Sequence, residues 1–347
     1  MGHKTEEVRM AGGTARSGRR ATSADVAREA GVSRSTVSFV LNGTKGQTIP
    51  EPTRQRVLEA AARLRYAPSA EARTLSRGRS DVVLLYQPPQ LPMTADMGAL
   101  VEFLAAEFAE AGLTAVTHPW SRKPDGDVLT AITPVAVIAW DLPDDAVTAM
   151  RHNGVRAVIS LTAESDPVAQ WIWGTRENGI ARLQVERLLS AGHRRLGYAR
   201  PHDARLAEAS EMRLKALRQA CAAHGLPAPV AVSIPGDGEG ARPAADAVAA
   251  WRELVPAVTG VCAHDDVAAL SVLAGLREHG LAAPADLAVI GAGDSPAARL
   301  AVPPLTMVAV DMLVTARHLV AAVTSLLDGR PVPAGPEVTQ VIERHSV

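Results

Sequence analysis

The spacing of apolar positions changes near residue 80 of the chain. Between Thr22 and Leu64, apolar residues recur every three or four positions, which is the period of amphipathic helices. From Ser80 onward, short apolar runs such as DVVLLY (81–86) alternate with longer stretches of helical period. The pattern predicts a small helical domain at about 21–66, followed by an α/β body from residue 81.

Local signals define the helices of the first domain. Thr22 and Asp25 have the spacing of a capping box, and Gly31 suits the left-handed residue that ends a helix. Ser33 is a good N-cap for a second helix over 34–42, and Pro52 suits the first turn of a third. Two short helices joined by a glycine-containing turn are typical of a helix-turn-helix.

The body reads as repeated β–α units. Such units predict parallel sheets with helices on both faces, and there are enough of them for two sheets. The predicted strands are 81–86, 135–140, 155–160, 195–199, 230–234, 258–263 and 287–291; the predicted helices are 97–112, 144–153, 177–192, 205–225, 241–254, 265–280 and 311–328.

Charge is distributed unevenly along the chain. Residues 1–80 hold 15 of the 36 Lys and Arg residues but only 7 of the 37 Asp and Glu residues. A basic module on an acidic body is typical of nucleic-acid-binding proteins. A solvated basic tail is the alternative for part of this excess, because residues 1–20 are polar, Gly-rich and expected to be disordered.

Other features narrow the class of protein. No run approaches the roughly 20 apolar residues that span a bilayer, and the N-terminus lacks the apolar core of a signal peptide. Two isolated cysteines are too few for a disulfide framework or a zinc site. We expect an intracellular protein with no membrane partner.

In a helix-turn-helix the second helix lies in the major groove, with its N-terminal residues at the base edges. Those residues are Arg34, Ser35 and Thr36, and Arg34 is suited to the bidentate contact with guanine. Ser33, Thr36 and Ser38 have short donors that suit phosphate contacts, while Val37 and Val40 face inward. On spacing alone, an ordinary helical hairpin remains the alternative.

The run T-x-x-DVA-x-x-AGVS-x-x-TVS-x-VLN (22–42) closely resembles the N-terminal signature of the lactose-repressor (LacI/GalR) family, and residues 53–80 continue it. The resemblance implies a homodimeric transcriptional regulator, with repression as the expected mode, that binds near-palindromic double-stranded operator DNA. It adds Thr22 and Asn42 to the expected DNA-binding residues. Phe39 stands where the family often has arginine, so this position should alter operator preference.

Residues 67–80 resemble the hinge of the same family. The resemblance implies that a short helix orders on DNA, pairs with that of the partner subunit and inserts Leu75 into the minor groove. Apolar side chains inserted in this way kink the duplex. Ala72 is small enough to let two backbones approach, and Arg73 is placed to meet phosphates. An ordinary linker is the alternative.

The body resembles the family more weakly. The resemblance implies a two-lobed periplasmic-binding-protein-like fold that holds a small-molecule effector, such as a sugar or another metabolite, between the lobes. It puts the first lobe at about 81–174 plus 295–325 and the second at about 175–294 plus 326–347. The matching segments are LLSAGHRRLGYA (188–199), RLKALRQACAAHGL (213–226), 264–294 and PPLT (303–306).

The resemblance carries Arg213 and Asp266 over as effector-binding residues, although these two could instead form a structural ion pair. Thr175-Arg176 replaces the usual Asp-Asn, Gly238 replaces an aromatic residue, and Gly291–Asp294 retains only Asp294 of two aspartates and lacks the ring. Trp171 and Trp173 would face one side if extended and supply a stacking surface. Burial in the core is the alternative for both.

No motif of a hydrolase, P-loop or metalloprotease is present in the sequence. We therefore expect no catalytic residues, no metal site and no cofactor. Two alternatives remain: a regulator of this family whose degenerate pocket responds to no small sugar and, more distantly, an α/β solute-binding or enzymatic protein.

Overall fold

The computed structural model describes residues 21–42, 49–66, 80–87, 94–119, 129, 132–140, 142–161, 166–234 and 242–347. The predicted tail, the hinge residues Ala72, Arg73 and Leu75, and Gly238 lie outside the described residues. The chain divides into two units, Met1–Ser80 and Asp81–Val347. This division coincides with the predicted start of the body.

The first unit contains helices α1 (Ser23–Ala30), α2 (Arg34–Asn42) and α3 (Glu51–Arg63). The capping box at Thr22 and Asp25 is confirmed, and Gly31 ends α1 with a φ of 66°. All three helices contribute to one small apolar core, whose buried residues are Val26, Ala27, Ala30, Val37, Val40, Val57, Ala60 and Ala61.

The body contains two sheets. The bounds of its strands are β1 (Val82–Gln87), β2 (Thr114–Pro119), β3 (Ala136–Ala139), β4 (Ala157–Ser160), β5 (Leu196–Pro201), β6 (Val230–Ile234), β7 (Gly260–Ala263), β8 (Ala288–Ala292), β9 (Thr306–Val310) and β10 (Thr339–Ile342). The first sheet has the order β2-β1-β3-β4 and the second β10-β9-β8-β7-β5-β6. All pairs are parallel except β9 with β10.

Helices connect and cover the strands, as β–α units require. They are α4 (Ala95–Glu110), α5 (Asp144–His152), α6 (Pro167–Trp171), α7 (Asn178–Ser190), α8 (Ala207–Ala223), α9 (Arg242–Arg252), α10 (Asp266–Glu278), α11 (Pro296–Leu300) and α12 (Met312–Leu327). A π-helical turn, Ile172–Glu177, joins α6 to α7, and a short 3₁₀ turn, Ala204–Leu206, precedes α8.

Strand β9 corrects the predicted division into lobes. The prediction placed 295–325 in the first lobe, but β9 pairs with β8 in the second sheet. Helix α12, in contrast, packs in the core of the first sheet through Ala316, Leu319 and Val323. The chain therefore contributes β9 to one lobe and the next helix to the other.

The extended conformation that would put Trp171 and Trp173 on one side is not adopted, because both residues are helical. Asp166 caps α6 by accepting the N–H of Val168 at 2.8 Å, and Pro167 occupies the first helical position. Asp followed by Pro is a helix-start signal. Here it outweighs the apolar–polar alternation that suggested a strand. The tryptophans consequently do not share one face of a strand.

Candidate functional site

The N-terminus of α2 presents a cluster of hydroxyl groups. Ser33 accepts the N–H of Thr36 at 3.1 Å and so caps the helix. Its hydroxyl also lies 2.7 Å from that of Ser35 and 2.8 Å from that of Thr36. These three hydroxyls are therefore held together at the end of the helix that the sequence predicts to enter the major groove.

Arg34 lies beside this cluster and is exposed. Within the described residues its guanidinium has neither a hydrogen bond nor an ion pair, whereas Arg28, Arg54 and Arg63 each pair with a carboxylate. Val37 and Val40 on the same helix are buried. The packing therefore fixes which face of α2 points outward and leaves Arg34 available to a partner.

The remaining predicted DNA-binding residues differ in their surroundings. The Thr22 hydroxyl donates to the Asp25 carboxylate at 2.7 Å, so it stabilises α1. Ser38 and Phe39 are half-buried. Asn42 ends α2, and its side chain lies outside the described part of the structure.

A cavity in the body lies where strands of both sheets end. Asp96 reaches it from the first turn of α4, and Trp140 follows β3. From the second sheet, His264 and Asp266 follow β7 and Asp294 follows β8. The carboxyl ends of parallel strands are the usual place for ligands in open α/β sheets. We call this cavity the cleft.

A buried ion pair lies on one wall of the cleft. The Nε of Arg213 donates to Oε2 of Glu177 at 2.6 Å, and one terminal nitrogen donates to the His264 carbonyl oxygen at 3.2 Å. Arg176 donates to the other Glu177 oxygen at 2.8 Å. Burial alone would raise the pKa of Glu177, but the two arginines outweigh it and lower the pKa to about 2. The structural partner of Arg213 is therefore Glu177 and not Asp266.

His264 is the neutral member of this wall. Its Nδ1 lies 2.8 Å from the Tyr198 hydroxyl, which in turn lies 3.1 Å from the Ser210 hydroxyl. Burial, and then the positive charge of Arg213, lowers the pKa of His264 to about 3. The imidazole is thus uncharged at neutral pH and adds no positive charge to the cleft.

Four further carboxylates line the cleft: Asp96, Asp265, Asp266 and Asp294. Asp265 accepts the N–H of Ala268 at 2.7 Å and so caps α10. Asp294 is held by Arg344 at 2.6 Å and by Arg299 at 3.0 Å. Asp266, in the first turn of α10, has no hydrogen bond or ion pair among the residues that the structure describes. The pKa of Asp96 is raised by burial and by the charges of Asp266 and Asp294, while Arg176 lowers it.

Gly293 allows the two lobes to approach each other. Its φ is +87°, and a Cβ at this position would lie 3.2 Å from a carboxylate oxygen of Asp96. The first turn of α4 therefore meets the backbone that follows β8. A larger residue at 293 would strain the turn and crowd this contact.

Four of the six predicted effector-binding residues line the cleft: Trp173, Arg213, Asp266 and Asp294. Trp171 instead lies in the core, where its Nε1 donates to the Pro336 carbonyl at 3.0 Å and its ring packs on His318. Thr175 lines a separate groove beside α7 and α8. The π-helical turn separates these side chains, which an extended segment would have kept together.

Sequence reasoning missed Asp96, Trp140 and Glu177, all of which line the cleft. The sequence contains a partial signal for the position of Asp96. Thr94 is the N-cap of α4, which places Asp96 in the first turn of that helix. Trp140 contacts Trp173 edge to face, with ring centroids 5.7 Å apart. This aromatic pair joins a residue that follows β3 to one in the π-helical turn, which no local pattern indicates.

The described residues include no helix long and apolar enough to cross a membrane. Within the same residues, no group of three or more His, Cys, Asp or Glu side chains is arranged to hold a metal ion.

These features define a class of protein: an N-terminal helix-turn-helix module followed by a two-lobed α/β body with a cleft. Residues 22–69 match the family of bacterial regulatory proteins of the lacI type, and residues 185–347 match a periplasmic binding protein-like domain.

Comparison with characterised proteins identifies the family. The chain is 31% identical to the HTH-type transcriptional regulator CelR of Thermobifida fusca, over 84% of this chain and 87% of CelR. It is 28% identical to the transcriptional repressor PurR of Vibrio parahaemolyticus, over 83% of this chain and 86% of PurR. The chain belongs to the LacI family and is a DNA-binding transcriptional regulator.

Solved structures agree with this assignment. A CelR–cellobiose complex superimposes with a TM-score of 0.61 and 26% identity, covering 94% of this chain and 100% of that one. A lac repressor dimer bound to operator and the anti-inducer ONPF gives a TM-score of 0.71 at 22% identity, covering 94% and 99%. At 22% identity, the similarity to the lac repressor supports only the fold of this chain.

Proposed function

We propose that this regulator acts as a homodimeric repressor in the cytoplasm, on chromosomal operators, and that a small molecule bound in the cleft changes its operator affinity. The observation that carries the DNA-reading part is the exposed Arg34, which has no partner among the described residues, beside the hydroxyl cluster of Ser33, Ser35 and Thr36. Arginine at the start of a recognition helix suits guanine, and short hydroxyls suit phosphates. The proposed activity is binding alone, without catalysis.

Two such modules would occupy successive major grooves of a near-palindromic site, about one helical turn apart. The cleft supports the regulatory part of the proposal, because side chains of both lobes line it and Asp96 of one lobe reaches Gly293 of the other. A ligand that binds one lobe arrangement better than another shifts the population toward it. Operator binding and ligand binding are then coupled reciprocally.

Selection of duplexes from a random library by the full chain tests the DNA-reading part. The expected outcome is a near-palindromic consensus whose half-sites are about 10 base pairs apart or a multiple of this. Recovery of duplexes without any shared sequence would contradict the proposal.

Thermal denaturation in the presence of sugars, nucleosides and other metabolites tests the regulatory part. A true effector stabilises the folded body and also changes the affinity for the selected duplex. A compound that stabilises the protein but leaves DNA affinity unchanged would contradict the coupling between cleft and operator.

A further inference from the structure

A second cavity adjoins the cleft on the side of the first sheet. Its walls are mainly apolar side chains from β1, β3, α4 and α12, including Leu85, Ile138, Leu100, Leu104, Met312 and Leu319. It shares five lining residues with the cleft, namely Thr94, Asp96, Met97, Trp140 and Arg176. The adjoining spaces therefore differ in chemistry: one is apolar and the other is lined by charged groups.

The positive charges of the cleft are already engaged. Arg176 and Arg213 both donate to Glu177, at 2.8 and 2.6 Å. His264 is neutral because its pKa is lowered to about 3, chiefly by burial. An anionic ligand would compete with an internal carboxylate for these arginines and would also face the carboxylates of Asp96 and Asp266. The site therefore disfavours anions.

Two carboxylates that no arginine binds within the described residues come from opposite lobes. Asp96 belongs to α4 and Asp266 to α10, and neither has a hydrogen bond or an ion pair within the described part of the chain. Burial raises the pKa of Asp96, the positive charge of Arg176 opposes this rise, and repulsion by the Asp266 carboxylate adds to it. A positive charge between these carboxylates would relieve that repulsion.

Aromatic groups stand at the junction of the two spaces. Trp140 lines both cavities, and Trp173, which contacts it edge to face, lines the cleft. Indole faces attract organic cations and pack well against apolar groups. The junction thus suits a molecule that places a charged group in the cleft and an attached apolar group in the second cavity.

We propose that the effector is an amphipathic organic cation: a protonated amine or related group lies between Asp96 and Asp266, and an attached apolar or aromatic group fills the cavity against α12. This inference rests on the proposed function and names the ligand class for the same cleft. Because Asp96 and Asp266 belong to different lobes, the cation stabilises their approach. Ligand charge is thereby linked to the arrangement of the lobes.

A matched series of four probes tests this ligand class: 2-phenylethylamine, 2-phenylethanol, 3-phenylpropionate and ethylamine. The full chain is titrated with each probe, and the fluorescence of its tryptophans is followed, since Trp140 and Trp173 line the site. We expect 2-phenylethylamine to bind most tightly and 2-phenylethanol about tenfold more weakly, as loss of a charge-assisted hydrogen bond implies. The anion and the ringless amine should bind more weakly still.

Asp96→Asn and Asp266→Asn keep the shape of each side chain and remove its charge. Each is expected to abolish most of the advantage of 2-phenylethylamine over 2-phenylethanol. Asp246→Asn removes the same charge from an exposed position on α9, outside the residues that line either cavity. This control should behave as the unaltered chain does.

The inference is overturned if the alcohol or the anion binds as tightly as the amine, if no probe binds, or if the two variants retain the preference for the amine. Binding of the selected duplex is measured on the same preparations. Retained sequence-specific DNA binding with any of these results rejects only the ligand class. Loss of specific DNA binding by the unaltered chain rejects the proposed function itself.

Discussion

The DNA-binding module and the cleft are built from contacts of very different range. In the module, the capping hydrogen bonds join Thr22 to Asp25 and Ser33 to Thr36, and each spans three residues. In the cleft, Arg213 binds Glu177 across 36 residues and Arg344 binds Asp294 across 50. The geometry of the module is therefore set by local sequence. The geometry of the cleft depends on the tertiary packing of both lobes.

Breaking the buried pair in the cleft should have the largest effect on stability. Arg213→Met leaves Glu177 buried with only Arg176 as its ionic partner, and removal of one member of such a pair costs about 3–5 kcal/mol. Urea denaturation should show this loss. The double variant Arg213→Met/Glu177→Leu should recover much of it, because no buried charge is left uncompensated.

Arg182→Met is the matched control, since Arg182 pairs with Glu186 on the partly exposed surface of α7. Surface pairs contribute about 1 kcal/mol or less. If the Arg182 and Arg213 variants lose the same stability, burial is not the reason that the Arg213–Glu177 pair stabilises the fold.

Acid should destabilise the cleft in two steps. The pKa of His264 lies below its usual 6.5, at about 3. The unfolded chain therefore binds a proton first, and stability falls as the pH drops from 6.5 toward 3. The pKa of Glu177 lies below its usual 4.5, at about 2. Its contribution, roughly 3 kcal/mol, is complete above pH 4.5 and is lost as the pH falls toward 2.

Denaturation at a series of pH values separates the two steps. In His264→Asn the decline between pH 6.5 and 4.5 should be smaller, and the part that remains comes from His193 and His318, whose pKa values burial also lowers. An identical decline between pH 6.5 and 4.5 in both proteins would show that His264 does not carry the first step.

Within the module, Arg34→Ala should reduce discrimination between the selected duplex and a scrambled one by about 1–3 kcal/mol, the worth of a bidentate base contact. Fluorescence anisotropy measures both affinities. Arg56→Ala removes an exposed charge from α3 and should weaken both duplexes alike. The same uniform weakening in the Arg34 variant would place Arg34 on phosphate rather than on a base.

Phe39→Arg restores the residue that the family often has at this position. We expect the preferred base at one operator position to change, by about 1 kcal/mol or more of discrimination. Repeating the duplex selection with this variant measures the change. An unaltered consensus would show that the half-buried Phe39 only packs within the module.

Ser33→Ala should have the smallest effect. Loss of this N-cap costs about 1 kcal/mol of helix stability, and it also removes the acceptor that holds Ser35 and Thr36 together. Thermal denaturation followed by circular dichroism should show the loss of helical stability. Ser190→Ala in the last turn of α7 is the control for loss of a hydroxyl.

The same contrast explains what could be predicted from the sequence. All three helices of the module were predicted, because each begins or ends at a local signal such as Thr22, Gly31 or Ser33. In the body, β2, β9 and β10 were missed. Strands β2 and β10 are edge strands, and the partly exposed positions along β10 interrupt the continuous apolar run of a buried strand. Strand β9 lies inside the second sheet, so its position in the sheet does not explain why it was missed.

The cleft was predictable only in part. Arg213, Asp266 and Asp294 were identified, but the partners of Arg213 and Asp294 were not, since Glu177 and Arg344 are distant in sequence and belong to other elements. The helical geometry at Trp171 also depended on the cap at Asp166, which competes locally with strand-like alternation. Side-chain pairing across a cleft follows from tertiary packing and has no local signature.

The central claim is that this chain reads operator DNA through α2. The most direct test is the affinity of the full chain for the selected duplex and a scrambled duplex over a series of salt concentrations. We predict specific binding whose logarithm falls steeply and linearly with the logarithm of salt, because phosphate contacts release counterions. Absent binding, or equal affinity for both duplexes at every salt concentration, would contradict the claim.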